Sequence, residues 1–344
     1  MKKMKSSAGK DRNMSNDLIH EILVKIFLCL NVVDVAVASL VCKSWNKACR
    51  EPCLWNKIDL STLGSYCFSK PLNKVEAYRH SSLKMTQFLK HVLDLSNGNT
   101  ICFIFNFYVY LTNEQFILVA QRTPKLKRVV LPETGDFSRG VEETVMRLWS
   151  CLESITITSA VSGYYILLAI GKYCNNITEM KFSQGCYFEE KHAVAMTKYT
   201  PKLKILSIRT VATSVKALVC VLRFLEHLEK VNICHSLILD TAYPGTVIVD
   251  ISELRKRFPP SSVEKLLYCE KGSCLRCMNG RDTTPSRQPD GPYEDIWGED
   301  EITSLAHLPQ PSQASRRARL LPFVTRIIYN VSSLFEQQQL YHHS

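Results

Sequence analysis

The sequence predicts an α/β chain in which a small helical unit at the N-terminus precedes a solenoid of short parallel strands alternating with helices. Three observations carry this reading. A short apolar pattern recurs at intervals of 25 or 26 residues, and a stretch of helical periodicity separates successive copies. Residues 15–60 hold two amphipathic helices too small to bury their apolar faces unaided.

The recurring pattern sets apolar residues at 0, +3 and +5: Leu126-Val129-Leu131, Leu152-Ile155-Ile157, Ile177-Met180-Phe182, Leu203-Leu206-Ile208 and Leu228-Val231-Ile233. Looser copies stand at Thr100-Phe103-Phe105 and Val263-Leu266-Tyr268, and Trp55-Ile58-Leu60 fits the same frame. Stretches 111–123, 141–151, 164–174, 189–199 and 215–226 read as the intervening helices, with an additional amphipathic helix over 82–95. One strand and one helix per period is a leucine-rich repeat. Each unit exposes an apolar side until the next covers it, so residues 55–277 are expected to stack into a curved solenoid. Side chains alternate along a strand, so if 0, +3 and +5 face the core then +2, +4 and +6 face the concave surface. That surface carries Arg128, Glu179, Lys181, Arg209 and Lys230, the candidate target-binding residues, together with Val130, Ser154, Thr156, Ile205, Ser207 and Asn232. It is polar and net basic, which suits an acidic or phosphorylated segment of a target protein. The stretch 241–262 is longer than the period prescribes and reads as a loop.

In the N-terminal unit, Leu18, Ile22, Ile26, Phe27 and Leu30 share one helix face. Asn16 is placed to cap that helix and Asn31 to end it. Asp34 is placed to cap a second helix over about 35–50, which carries Val37, Leu40, Val41, Trp45 and Ala48 on one side. Glu51-Pro52 stops it, because a residue before proline leaves the helical region. A strand-like KIDL follows at 57–60.

The series Asp17-Leu18, Glu21-Ile22-Leu23, Ile26-Phe27, Leu30, Asp34, Val41-Cys42-Lys43, Trp45, Pro52, Leu54-Trp55 and Ile58-Asp59-Leu60 resembles an F-box over its whole length. With the repeats, the chain resembles the plant F-box/leucine-rich-repeat proteins. The Cys174-x-x-Ile177 join is similar to the cysteine-containing repeat subclass. One departure is visible: Asn16-Asp17-Leu18 stands where the family starts its first helix with Leu-Pro. The resemblance implies docking of Leu18, Ile22, Ile26, Phe27, Val41 and Trp45 on a Skp-type adaptor, and through it on a cullin–RING ubiquitin ligase. The other reading of these side chains, Trp45 and Trp55 in particular, is that they fill the unit's own core.

Composition narrows the rest. Of the net charge of +11, residues 1–14 carry +4, residues 271–344 carry none and the middle carries +7, a spread with no stripe of Arg and aromatic residues to bind a specific nucleic acid. No apolar run is long enough to span a membrane, and MKKMKSSAGKDRN lacks the apolar core of a signal peptide. The fourteen cysteines, Cys29, Cys42, Cys49, Cys102, Cys151 and Cys220 among them, therefore read as packed thiols in a reducing compartment, the cytoplasm and/or nucleus. Cys269, Cys274 and Cys277 include a C-x2-C of zinc-ligand spacing but no near fourth ligand, His307 being thirty residues on. A solenoid cap with free thiols is preferred, and neither metal nor cofactor is expected. Residues 1–14 and 278–344 read as disordered tails, the latter with an amphipathic stretch at 320–335. The acidic run around Trp297 is either a docking motif or a solvated tail, and composition favours the tail.

The chain is thus expected to be a non-catalytic substrate-recognition subunit of an SCF-type ubiquitin ligase, its repeats binding an unidentified protein target. The alternative is a non-ligase repeat scaffold with a degenerate F-box. Small-molecule sensing ranks lower, because seven or eight strands make only a shallow arc. No Gly-rich phosphate loop, G-x-S-x-G or paired metal-ligand motif suggests an enzyme.

Overall fold

The computed structural model describes residues 8–61, 63, 76–105, 111–132, 140–157, 160–182, 187–209, 211–233, 236–243, 245–249, 251–258, 262 and 264–267. The expected tail helix at 320–335 and Cys269, Cys274 and Cys277 lie outside them.

The chain opens with α1 (Ala8–Phe27), α2 (Val32–Ala38) and α3 (Lys43–Cys49). α1 begins eight residues ahead of Asn16, which falls inside it rather than at its start. The predicted second helix is in fact two, broken at 39–42. Asn31, expected to end the first helix, is the N-cap of α2, and its side chain accepts from the Asp34 N–H. Asp34 sits in the first turn, where a carboxylate complements the helix dipole. A 3-10 turn, Pro52–Leu54, leads into β1 (Lys57–Asp59).

From there strand and helix alternate. In order come α4 (Glu76–Ser96), β2 (Cys102–Ile104), α5 (Asn113–Arg122), β3 (Arg128–Val130), α6 (Val141–Leu148), β4 (Ser154–Ile157) and α7 (Ala160–Tyr173). Then follow β5 (Glu179–Phe182), β6 (Tyr187–Phe188), α8 (Glu190–Tyr199), β7 (Ile205–Ser207), β8 (Ala212–Ser214), α9 (Val215–Phe224) and β9 (Lys230–Asn232). The described part closes with β10 (Leu237–Tyr243), β11 (Gly245–Ile248), α10 (Ile251–Arg257) and β12 (Leu266–Leu267).

Eight strands form one parallel sheet in the order β1-β2-β3-β4-β5-β7-β9-β12. Its register aligns the +3 positions into a single row, Ile58–Phe103–Val129–Ile155–Met180–Leu206–Val231–Leu266, every member of it buried. The residues at 0 and +5 of all five clear repeats are buried too. Each such side chain contributes roughly 1.5–3 kcal/mol over its exposed state, so the recurring pattern is the core itself. α5 to α9 stack in order on this apolar side, each against its neighbour.

The joint between helix and strand also recurs. Three residues before each strand motif stand Thr123, Trp149, Cys174, Thr200 and Leu225, all buried. The N–H groups of Leu126, Leu152, Leu203 and Leu228 donate to the carbonyls of Thr123, Trp149, Thr200 and Leu225. Thr123 Oγ1 donates to Val119 O at 2.8 Å and Thr200 Oγ1 to Met196 O at 2.9 Å, while Cys174 Sγ lies 3.4 Å from Met146 O. At three of these five joints a small polar or thiol side chain thus reaches a helix-end carbonyl, while Trp149 and Leu225 fill the position by volume.

A second sheet, β11-β10-β8-β6, was not foreseen. β6, β8 and β10 run parallel, and β11 closes an antiparallel hairpin on β10. The stretch expected as a long loop after the last clear repeat is thus part hairpin and part α10, which is held by Arg257 Nη1 donating to Asp240 Oδ2 at 2.5 Å.

His192 is buried in the first turn of α8. Its Nδ1 accepts from the Glu189 N–H at 3.2 Å, and its ring stacks on Phe188 at 6.0 Å. Burial pushes its pKa down, opposed by Glu189 and assisted by Lys191. The unfolded chain then binds this proton more readily than the folded one, so stability is full above the unfolded value of about 6.5 and falls as pH drops toward the folded value. Urea midpoints measured from neutral to mildly acidic pH are expected to decline more in the parent than in His192→Gln. Equal slopes would show that the ring does not contribute.

Candidate functional site

The N-terminal unit turns two apolar faces in different directions. Phe27 is 1% exposed and meets Trp45 edge to face, with centroids 5.3 Å apart. Phe27, expected among the adaptor contacts, instead fills the unit's core. Trp45 is half-buried beside it. The opposite side of α1 presents Leu18, Ile22 and Ile26, which are 59%, 48% and 49% exposed, with Ile19 and Leu28 exposed as well. Leu40 and Val41, exposed in the break between α2 and α3, add two more large apolar side chains. Spacing of i, i+4 and i+8 puts Leu18, Ile22 and Ile26 in one stripe. Contiguous exposed apolar surface of this kind marks an interaction site.

The stripe has a firm backing. Trp55 is fully buried and its Nε1 donates to Cys49 O at 2.6 Å; Cys49 Sγ lies 3.5 Å from Val35 O. His20 Nε2 and Glu51 Oε1, 2.8 Å apart, tie α1 to the turn that follows α3. The unit is also seated on the solenoid. Ser39 Oγ and His91 Nε2 are 2.8 Å apart, Arg50 Nη2 donates to Asp94 Oδ2 at 3.2 Å, and β1 pairs with β2.

The opening cysteines divide. Burial pushes the thiols of Cys49 and Cys174 up to about 12, which leaves them unreactive packing groups. Cys29, Cys42, Cys53 and Cys151 are exposed, against the expectation that Cys29, Cys42 and Cys151 would pack. Helix α3 begins at Lys43, so Cys42 stands in extended backbone ahead of it. Among the described residues no cluster of His, Cys, Asp and Glu is built to hold a metal, and no helix is long and apolar enough to cross a membrane.

The outer face of the large sheet holds the other predicted residues. Register aligns Arg128–Ser154–Glu179–Ile205–Lys230 in one row and Val130–Thr156–Lys181–Ser207–Asn232 in the next. The structure leaves Lys230 exposed and Arg128 half-exposed. It buries Glu179, Lys181 and Arg209. Lys181 Nζ pairs with Glu179 Oε1 at 3.3 Å. No sequence signal marks this burial, because strand alternation says which face a side chain takes and not what lies over that face.

A buried-core helical unit with an exposed apolar stripe, joined by its own strand to a repeat sheet, defines an F-box followed by a leucine-rich-repeat solenoid. Comparison with known proteins agrees. Residues 20–61 match the F-box-like family. An F-box/LRR-repeat protein of Arabidopsis thaliana is 32% identical over 295 residues, covering 84% of this chain and 95% of that protein. The F-box protein FBW2 of the same plant is 28% identical over 228 residues, 62% of this chain and 66% of its own length. The chain belongs to the F-box/LRR-repeat protein family.

Proposed function

We propose that this protein is the substrate-recognition subunit of an SCF-type ubiquitin ligase. Leu18, Ile22, Ile26 and Val41 form the docking face for a Skp-type adaptor, and the outer face of the repeat sheet receives the target. The observation that carries the reading is the exposed apolar stripe of α1, whose Ile22 and Ile26 lie within the segment matched to the F-box-like family. The chain's own part is binding and placement. A target held on a rigid sheet beside the ligase is presented to the ubiquitin-loaded conjugating enzyme at high effective concentration, with no covalent step on this chain. Arg128 and Lys230, two accessible cations of the face, suit an acidic or phosphorylated segment of the target.

Co-expression of the full chain with a Skp-type adaptor tests the first half. A one-to-one complex that survives gel filtration is expected. A folded chain that elutes without adaptor would overturn the ligase reading and favour a repeat scaffold whose F-box no longer docks, consistent with Asn16-Asp17-Leu18 at the start of the motif.

A further inference from the structure

The helical side of the solenoid repeats a surface pattern as regularly as the sheet side repeats a core. α7, α8 and α9 lie side by side. Each carries three positions of one helix face, spaced i, i+3 and i+7: Tyr165-Leu168-Lys172, Lys191-Val194-Lys198 and Lys216-Val219-Arg223. From helix to helix these positions recur after 26 and then 25 residues, the interval of the strand motifs that follow them, so they form three rows across the helices. The middle row is apolar, with Val194 and Val219 exposed and Leu168 half-buried. The flanking rows are Tyr165, Lys191 and Lys216 on one side and Lys172, Lys198 and Arg223 on the other, all exposed. Phe224, at the end of α9, is 59% exposed. Five Lys and Arg residues against the single carboxylate Glu190 leave α7–α9 with a formal net charge of +4. Glu143 of α6 pairs with Lys172, and Glu189 with Lys191. Lys198, Lys216 and Arg223 form no ion pair among the described residues. Lys198 Nζ lies 5.1 Å from the ring centroid of Tyr199, and Arg223 Cζ 5.5 Å from that of Phe224.

We infer that this face of α7–α9 docks on an anionic lipid bilayer. An apolar row between rows of cations suits the membrane boundary. Aliphatic and aromatic side chains enter the edge of the acyl region there, while Lys and Arg stems reach out to the lipid phosphates. Charge alone would serve any polyanion, and two observations favour the bilayer. A soluble acidic segment or a nucleic-acid backbone offers nothing to Val194, Val219 and Phe224, the exposed apolar groups of the face. The pattern also extends in two directions, about 20 Å across three packed helices and about 10 Å along each. A partner helix covers a line of such a patch, whereas a bilayer covers a plane. No helix of the described residues is long and apolar enough to cross a membrane, and docking of this kind requires none. The helices pack on the core side of the sheet, away from its outer face, so the surface depends on neither adaptor nor target binding.

Co-sedimentation of the full chain with vesicles tests it, using phosphatidylcholine alone and phosphatidylcholine with about one part in three of phosphatidylserine. The parent is expected to sediment with the anionic vesicles and to stay in solution with the neutral ones. The full-length variant Lys198→Glu, Lys216→Glu, Arg223→Glu is expected to lose about a hundredfold in partitioning, since each cation near an anionic surface contributes roughly fivefold. The full-length variant Val194→Ser, Val219→Ser, Phe224→Ser keeps the charge and is expected to lose about tenfold. All six positions are exposed, so circular dichroism spectra and urea midpoints are expected to match the parent. A parent that stays in solution with the anionic vesicles overturns the assignment. So does a charge-reversed variant that sediments like the parent, because attachment then lies elsewhere on the chain. An apolar variant that partitions like the parent would show that the face reads charge alone, which replaces the bilayer with a soluble acidic partner.

Discussion

Replacing Ile22 and Ile26 together by aspartate is expected to abolish capture of a Skp-type adaptor while changing the unfolding free energy by no more than about 0.5 kcal/mol, the usual range for exposed positions. Both side chains are about half exposed and make little of the unit's core. Central apolar anchors are worth about 2 kcal/mol or more each, so losing two lowers affinity by roughly three orders of magnitude. Phe27→Ala supplies the contrast. Phe27 is buried against Trp45, and its truncation is expected to cost about 3–5 kcal/mol of stability, typical of a buried aromatic. Titration of purified adaptor, beside denaturant unfolding of each variant, separates the two effects. A double aspartate variant that still binds would move the docking face away from α1. A Phe27→Ala protein as stable as the parent would show that its ring is not part of the core.

Trp149→Ala is expected to be the most damaging single change in the solenoid. Trp149 is fully buried at the joint between α6 and β4. Its ring meets Phe116 edge to face at 5.5 Å and its Nε1 donates to Thr123 Oγ1 at 3.0 Å. The side chain thus links its own repeat to the preceding one, the nearest-neighbour coupling that makes a repeat array cooperative. Losing the ring removes about 3–5 kcal/mol. Trp149→Phe keeps most of the volume and gives up the hydrogen bond, for about 1 kcal/mol. Guanidinium unfolding checks both values. In Trp149→Ala, a broadened or two-step transition is the expected sign that the array has uncoupled at this joint. A single sharp transition with less than about 1 kcal/mol lost would show that the neighbouring repeats close the gap.

How much of this was legible in the sequence follows from which residues do two jobs. The sheet row from Phe103 to Val231 was readable because each core position is filled by an apolar residue at an interval of 25 or 26, and nothing else competes for that pattern. The stripe on α1 was only half readable. Leu18, Ile19, Ile22, Leu23, Val24, Ile26 and Phe27 make α1 apolar on more than one side, so periodicity does not say which side meets Trp45 and which is left open. Packing of α3 decides it, and Phe27 turns inward while Ile26 turns out. The second sheet was not readable at all. Tyr187–Phe188 and Ala212–Ser214 are too short to show alternation, and their pairing comes from stacking of consecutive repeats. The two helices merged over 35–50 show a different failure. Apolar spacing continues across residues 39–42, but the chain turns there and α3 starts afresh after Cys42.

The pairing of β1 with β2 makes the strand that leaves the F-box the first rung of the repeat sheet. Among the described residues that junction is a shared hydrogen-bonded ladder backed by the Ser39–His91 and Arg50–Asp94 links. Under the proposed function, position along the sheet is therefore a ruler measured from the adaptor-docking face. Each repeat carries a bound segment one further strand spacing, about 4.8 Å, away from it. Under the proposed function, inserting or deleting one repeat would change which lysines of a captured protein come within range of the conjugating enzyme.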